Sequence, residues 1–381
     1  MSVVSIVRDL PRRTRVAAAV GVVGLAACAV SAVLDRAAFF EGWLVTWLFL
    51  LGIALGSMAQ VMIHELTAGD WGRVLRPPLE AAAATLPLIA LFAVPLAFGL
   101  PELFAWARPD AVARSGALQA QAWWLTPARF IARNAVLLLV WSGLALALVR
   151  RRGAHAEAAA TRARRLSVAG LIVYLVTVTV AAFDWIASLV PGWTSTALGV
   201  RLGTAQFVAS LAFAVPFVVR FRPDARGSAP PRDFQDFGNL LLTYAMMWAY
   251  IAFTQYLIVW GEDLLDETSW YWPRAATSWR FLVWLVVALE FALPVLAMLF
   301  RPVKRNPARL ATVCGLVLAA QWLDMLWLVA PSLRPGGVAL HLADACALVG
   351  EGGVWLALVF HLSDRIPAAA LPLPAAAPVH G

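Results

Sequence analysis

FDWIASLVP (183–191) and LDMLWLVAP (323–331) decide how this chain is read. Each phrase sets an Asp inside an apolar stretch of membrane length, seven positions before a Pro: Asp184 to Pro191, and Asp324 to Pro331. An ionised side chain at membrane depth costs about 3 kcal/mol or more, so it faces a protein interior and marks a site or pathway. Its recurrence at one depth predicts a duplicated helical bundle built around a polar interior.

Composition agrees with that reading. The chain is 62% hydrophobic and only 14% charged, which excludes a soluble domain. Its 18 Trp suit repeated anchoring at membrane interfaces. Ten stretches are long enough to cross roughly 30 Å of hydrocarbon: about 16–34, 43–64, 81–100, 130–149, 166–189, 197–219, 237–260, 279–300, 309–330 and 339–361. The fold class expected is all-α integral membrane, with two four-helix bundles (spans two to five and six to nine) and two flanking helices. In residues, this means an amino-terminal segment and first span (1–42), bundles at 43–189 and 190–331, a tenth span in 332–366, and a disordered tail (367–381). The match extends beyond the Asp phrases, since Arg129-Phe130 opens the fourth span and Arg280-Phe281 the eighth.

The net charge of +8 is topological. Arg8, Arg12, Arg13 and Arg15 precede the first span; Arg150 to Arg152 and Arg162 to Arg165 fill the loop after the fourth. Arg220, Arg222, Arg226 and Arg232 follow the sixth, and Arg301, Lys304, Arg305 and Arg309 the eighth. Every second loop is basic, whereas Glu262, Asp263, Asp266 and Glu267 crowd a loop on the other side. This positive-inside pattern places both termini in the cytoplasm and argues against a nucleic-acid partner. Residues 65–80 are expected to form an amphipathic link in the headgroup layer on that side, with Trp71, Arg73 and Arg76. Leu25-Ala26-Ala27-Cys28 resembles a lipoprotein cleavage box, but apolar residues continue through Leu34, so an ordinary span is expected.

Polar residues inside the spans fall into stripes. Tyr174, Thr177, Asp184 and Ser188 share one face of the fifth span; His341, Asp344 and Glu351 share a face of the tenth. Glu290 lies mid-span in the eighth, Arg201 at the start of the sixth, and Tyr244, Trp248 and Gln255 on one face of the seventh. Acids and His at successive depths suit a proton relay, and near one surface they suit a quinol headgroup whose protons they accept. The candidate pathway or quinone residues are therefore Asp184, Asp324, Glu290, Glu351, Asp344, His341, Arg201, Tyr174 and Gln255. Asp184 has a second reading, as a structural ion pair with Arg201. Three separate Cys and five scattered His supply neither an iron–sulfur nor a zinc set, and haem fits poorly. No metal and no covalently bound cofactor is expected, so electron chemistry would come from a bound organic molecule or from partners.

Three longer stretches carry a family resemblance. FDWIASLVPGWTSTALG (183–199), DFGNLLLTYAMMWAYIAFTQYLIVWGEDLLDETSWY (236–271) and KRNPARLATVCGLVLAAQWLDMLWLVAP (304–331) resemble the F subunits of alternative complex III, in the NrfD/polysulfide-reductase-C-like group. GDWGRVLRPPLE (69–80) resembles the link in those subunits. The chain departs from the family phrase at Gly192, where His is usual. The resemblance implies a ten-span, multi-pass subunit of a quinol:cytochrome c oxidoreductase in the bacterial inner membrane. It implies iron–sulfur and multihaem cytochrome partners, a sibling NrfD-like membrane subunit, surrounding lipid, and a quinone or quinol as ligand. A stand-alone proton-coupled secondary transporter and a non-catalytic scaffold are the alternatives.

Overall fold

The computed structural model describes residues 10–69, 71–150 and 157–366. The tail expected to be disordered, and His155 and His380, lie outside the described residues. Among the described residues every regular element is helical. Ten helices are long and apolar enough to cross a membrane: Arg12–Leu34, Arg36–Thr67, Gly72–Phe98, Pro127–Val149, Thr161–Leu189, Leu198–Phe221, Pro231–Glu262, Trp279–Met298, Pro307–Leu333 and Leu342–Asp364. At 1.5 Å per residue the 23-residue members reach about 35 Å, enough for the hydrocarbon core.

Local chemistry sets where several spans begin. Asp35 caps the second, its side chain accepting from the Ala38 N–H at 3.0 Å, and Asn306 caps the ninth through the Arg309 N–H at 3.1 Å. Pro127 and Pro307 occupy first helical positions, where a missing N–H costs nothing.

The second and sixth spans form the centre. The second is buried along its whole apolar length, and the sixth nearly so. Their backbones touch: a Cβ on Gly56 would lie 2.0 Å from the Gln206 carbonyl oxygen, so only Gly allows the crossing. The second span also packs against the third, fifth, ninth and tenth, and the sixth against the fifth, seventh and ninth. The third leans on the fourth and the fourth on the fifth; likewise the seventh on the eighth and the eighth on the ninth. The first span lies outside, packed mainly on the tenth.

Two expectations need correction. The 65–80 stretch is not a surface-lying link, because the second span runs to Thr67 and the third starts at Gly72. Val74, Leu75 and Pro77 through Ala83 are buried, and Glu80 is fully so. The turn is tight because Gly72 abuts His64, where a Cβ would sit 1.9 Å from Nε2. The two Asp-to-Pro phrases also fold differently. The fifth helix ends at Trp185 and passes into a 3-10 turn at Ala187–Leu189, whereas the ninth continues through Pro331 to Leu333. Pro331 has no N–H for the Trp327 carbonyl four residues earlier. Arg274 supplies it: Nε donates to that carbonyl at 3.3 Å, and a terminal nitrogen donates to the Leu328 carbonyl at 2.7 Å.

Candidate functional site

Both phrase carboxylates are fully buried, yet their surroundings are opposite. Asp184 is saturated. It accepts from the Trp124 indole at 3.0 Å, from Arg133 twice at 2.7 Å, and from the Asn134 amide at 2.9 Å. Trp185 donates to the other end of Asn134 at 2.6 Å, and the Arg133 guanidinium stacks over Trp124 at 4.0 Å. A bidentate guanidinium–carboxylate pair is the strongest form of such a contact, and here it ties the fourth span to the fifth. Its partner is Arg133; the expected pairing of Asp184 with Arg201 does not form, because Arg201 is engaged on the ninth span.

Asp324 has a different environment. Arg201 donates to Oδ1 at 2.7 Å, while Oδ2 has no hydrogen-bond partner. The Trp248 indole flanks the carboxylate from the seventh span. Glu290 stands within electrostatic range of both Asp324 and Arg201, is 1% exposed, and neither of its carboxyl oxygens has a partner. Gln255, also buried on the seventh span, leaves its side-chain oxygen without one. The sixth to ninth spans therefore bring two carboxyls to the Arg201 guanidinium, and Arg274, a second buried guanidinium, lies within electrostatic range of Arg201. Arg201 donates to Asp324, whereas Glu290 is left buried with no donor on either oxygen, surroundings in which a neutral acid costs less than an ion.

The backbone at Glu290 is also unusual. Ala288–Ala292 forms a π-turn within the eighth span. Pro294 lacks the N–H that would satisfy the Glu290 carbonyl, and its ring would press on that carbonyl in a regular helix. Widening the turn relieves the clash. Single-turn bulges of this kind frequently occur at functional sites.

The other expected residues fall elsewhere. Tyr174 donates to Gln206 at 2.8 Å across the fifth and sixth spans. One turn further along the sixth span, Gln60 donates to Ser210 at 2.5 Å. One turn beyond Gln60 on the second span comes His64, which faces Arg76; Arg76 is ion-paired with Glu65 and Glu80. Asp344 and His341 sit at the opposite membrane face. Arg334 forks onto Asp344 with two bonds of 2.8 Å and reaches Glu41 at 2.6 Å, while Asp344 accepts from the His341 backbone N–H at 2.9 Å. Burial works against the Arg334 charge, but Asp344 and Glu41 outweigh it and hold its pKa above the ordinary value. This group clasps the second and tenth spans to the end of the ninth.

Glu351 is fully buried with both oxygens unpartnered, and it is not among the charged groups that act on the Glu290–Asp324 pair; Trp355, one turn further along, donates to Thr85 of the third span at 2.8 Å. Arg274, in the loop before the eighth span, is buried against backbone carbonyls and stacks over Trp270 at 3.5 Å. Burial, with Arg201 nearby, pushes its pKa down. The same burial pushes the neighbouring Tyr271 phenol up to about 12.

Sequence reasoning missed Arg133, Asn134, Gln206, Gln60 and Ser210. Asn134 in an apolar helix was a usable signal; the rest depend on which spans become neighbours. Among the described residues no group of His, Cys, Asp and Glu could hold a metal ion. No protein-family model matches the chain, and no curated protein matches it.

Proposed function

We propose that the chain is a multi-pass membrane subunit of a quinol-oxidising respiratory complex, in which the Glu290–Asp324–Arg201 cluster takes up and passes on protons or meets the quinone. The carrying observation is a pair of buried carboxyls within electrostatic range of each other, of which Glu290 has no hydrogen-bond partner on either oxygen and is free to exchange a proton. Support for the respiratory setting comes from the resemblance of residues 183–199, 236–271 and 304–331 to the alternative complex III F subunits. In this reading the chain sits in a bacterial inner membrane with its termini in the cytoplasm, beside iron–sulfur and multihaem cytochrome subunits and a sibling membrane subunit.

The helix order supports two matching rings, spans two to five and six to nine, which meet along the second and sixth. Asp184 locks the first ring and Asp324 serves the second. Along the seam, Gln206 with Tyr174 and Ser210 with Gln60 step from the cluster toward His64, Arg76 and Glu80. These steps, each about one helical turn, form a route that intervening waters would complete.

The test is Glu290→Gln in the assembled complex. Quinol oxidation or its coupled proton movement falls at least tenfold while the subunits still co-purify. Unchanged rates and proton yield would sink the reading. Proton-coupled transport by the isolated chain would favour the transporter alternative, and loss of assembly alone would favour the scaffold.

A further inference from the structure

A groove of about 720 Å³ opens where the first span begins beside the ends of the sixth and tenth. Val16, Ala17 and Val20 line it from the first span, Leu356 and Phe360 from the tenth, and Phe221 from the sixth. Its deep end is set by Gly353, where a Cβ would lie 2.6 Å from the Gly21 Cα because the two backbones touch. From Arg12 at the mouth to Val20 is eight residues, about 12 Å along the helix. Val16 and Val20 are half exposed, so no other part of the described chain covers them.

The mouth is basic. Arg12 and Arg13 both line it, and Arg12 stands four and eight residues before Val16 and Val20, on their face of the helix. Arg13 is held in place: it donates to the Phe221 carbonyl at 2.9 Å, pairs with Asp364, and lies over the Phe360 ring at 5.4 Å. Arg12 has no hydrogen bond or ion pair from its side chain among the described residues. Arg15, Arg220 and Arg365 at the same membrane face also lack a carboxylate partner there. Arg222 is buried on the Ser363 and Ile366 carbonyls at 2.9 and 3.1 Å. Of the acids beside the groove, Asp364 is taken by Arg13 and Asp224 lies 3.5 Å from Arg222, so the surplus charge at the mouth is positive.

We propose that this groove binds an anionic phospholipid, with its phosphate against Arg12 and Arg13 and one acyl chain along Val16, Val20 and Leu356. An apolar groove alone would accept any lipid tail; the unneutralised guanidinium in line with it selects a negative headgroup. Basic pockets between spans serve as headgroup sites for this reason. The apolar length of about 12 Å suits part of an acyl chain, whereas a partner helix would need cover along roughly 30 Å of hydrocarbon. The lipid would brace the first span, whose packing is mainly on the tenth. Its site shares no residue with the Glu290–Asp324 cluster, and either can fail without the other.

Native mass spectrometry of the full chain in detergent tests the site, after lipid is stripped and phosphatidylglycerol or phosphatidylcholine with the same acyl chains is titrated back. The first phosphatidylglycerol is expected to bind about tenfold more tightly than phosphatidylcholine. Arg12→Gln weakens phosphatidylglycerol about fivefold, Arg12→Lys less than about twofold, and neither moves phosphatidylcholine. Val20→Trp, which fills the groove, weakens phosphatidylglycerol as well, and excess inorganic phosphate does not displace it. In native membranes, Val20→benzoylphenylalanine cross-links to lipid on illumination. Equal binding of the two lipids, displacement by phosphate, or unchanged binding in either Arg12→Gln or Val20→Trp would overturn the proposal. So would a cross-link from Val20 to a second copy of the chain or to another protein.

Discussion

Replacing Asp184 by Asn separates a structural acid from a working one. The carboxylate accepts four hydrogen bonds, two from each of its oxygens. An Asn offers one acceptor oxygen and turns an NH2 toward groups that are themselves donors. Two buried donors are stranded, at about 1–3 kcal/mol each, and the Arg133 guanidinium loses its counter-charge. Breaking a buried ion pair on one side costs about 3–5 kcal/mol, and that range is expected here. Since about 1.4 kcal/mol is tenfold in an equilibrium constant, the folded fraction falls more than a hundredfold relative to the unfolded state. Thermal or denaturant unfolding in detergent reads the loss. The double variant Arg133→Gln/Asp184→Asn recovers part of it, because neither charge is then left alone. A cost below about 1 kcal/mol for Asp184→Asn, or no recovery in the double variant, would refute the claim that this acid is a latch.

Glu290→Gln is expected to behave in the opposite way: with no hydrogen bond to lose, stability changes by less than about 1 kcal/mol in the same unfolding assay. Arg274→Met should destabilise by roughly 2–4 kcal/mol through stranded carbonyls; Pro331→Ala, which restores the N–H for Trp327, should shrink that cost in a double-mutant cycle. Gly24→Leu should release the first span from the tenth, read as new protease or thiol-reagent access at Cys28, while spans two to ten stay folded.

The ten spans were legible in the sequence because the bilayer imposes a length and hydropathy that no packing detail overrides. The intramembrane acids were legible for the same reason, as charges that hydrocarbon does not tolerate. Their partners were not. Asp184 meets Arg133 from the preceding span, and nothing in the spacing favoured that over Arg201. The two Asp phrases look alike as strings, yet one breaks its helix and the other passes through its Pro, because only the second has Arg274 to satisfy the freed carbonyls. Glu351 was grouped with Asp344 by helical phase. Phase gives the face of a helix but not the partner: Asp344 is clasped by Arg334, while Glu351 has no hydrogen bond at all. The π-turn was half-visible, since Pro294 announces a disturbed carbonyl at Glu290 without giving the form of the repair.

The central claim is that the Glu290–Asp324 pair holds an exchangeable proton inside the membrane. Infrared difference spectroscopy of the purified protein, comparing the native chain with Glu290→Gln and Asp324→Asn, tests it most directly. A protonated-carboxyl C=O band that shifts in D2O and is lost in one or both variants is the expected result. A native spectrum without such a band, or one that survives unchanged in both variants, would contradict the account.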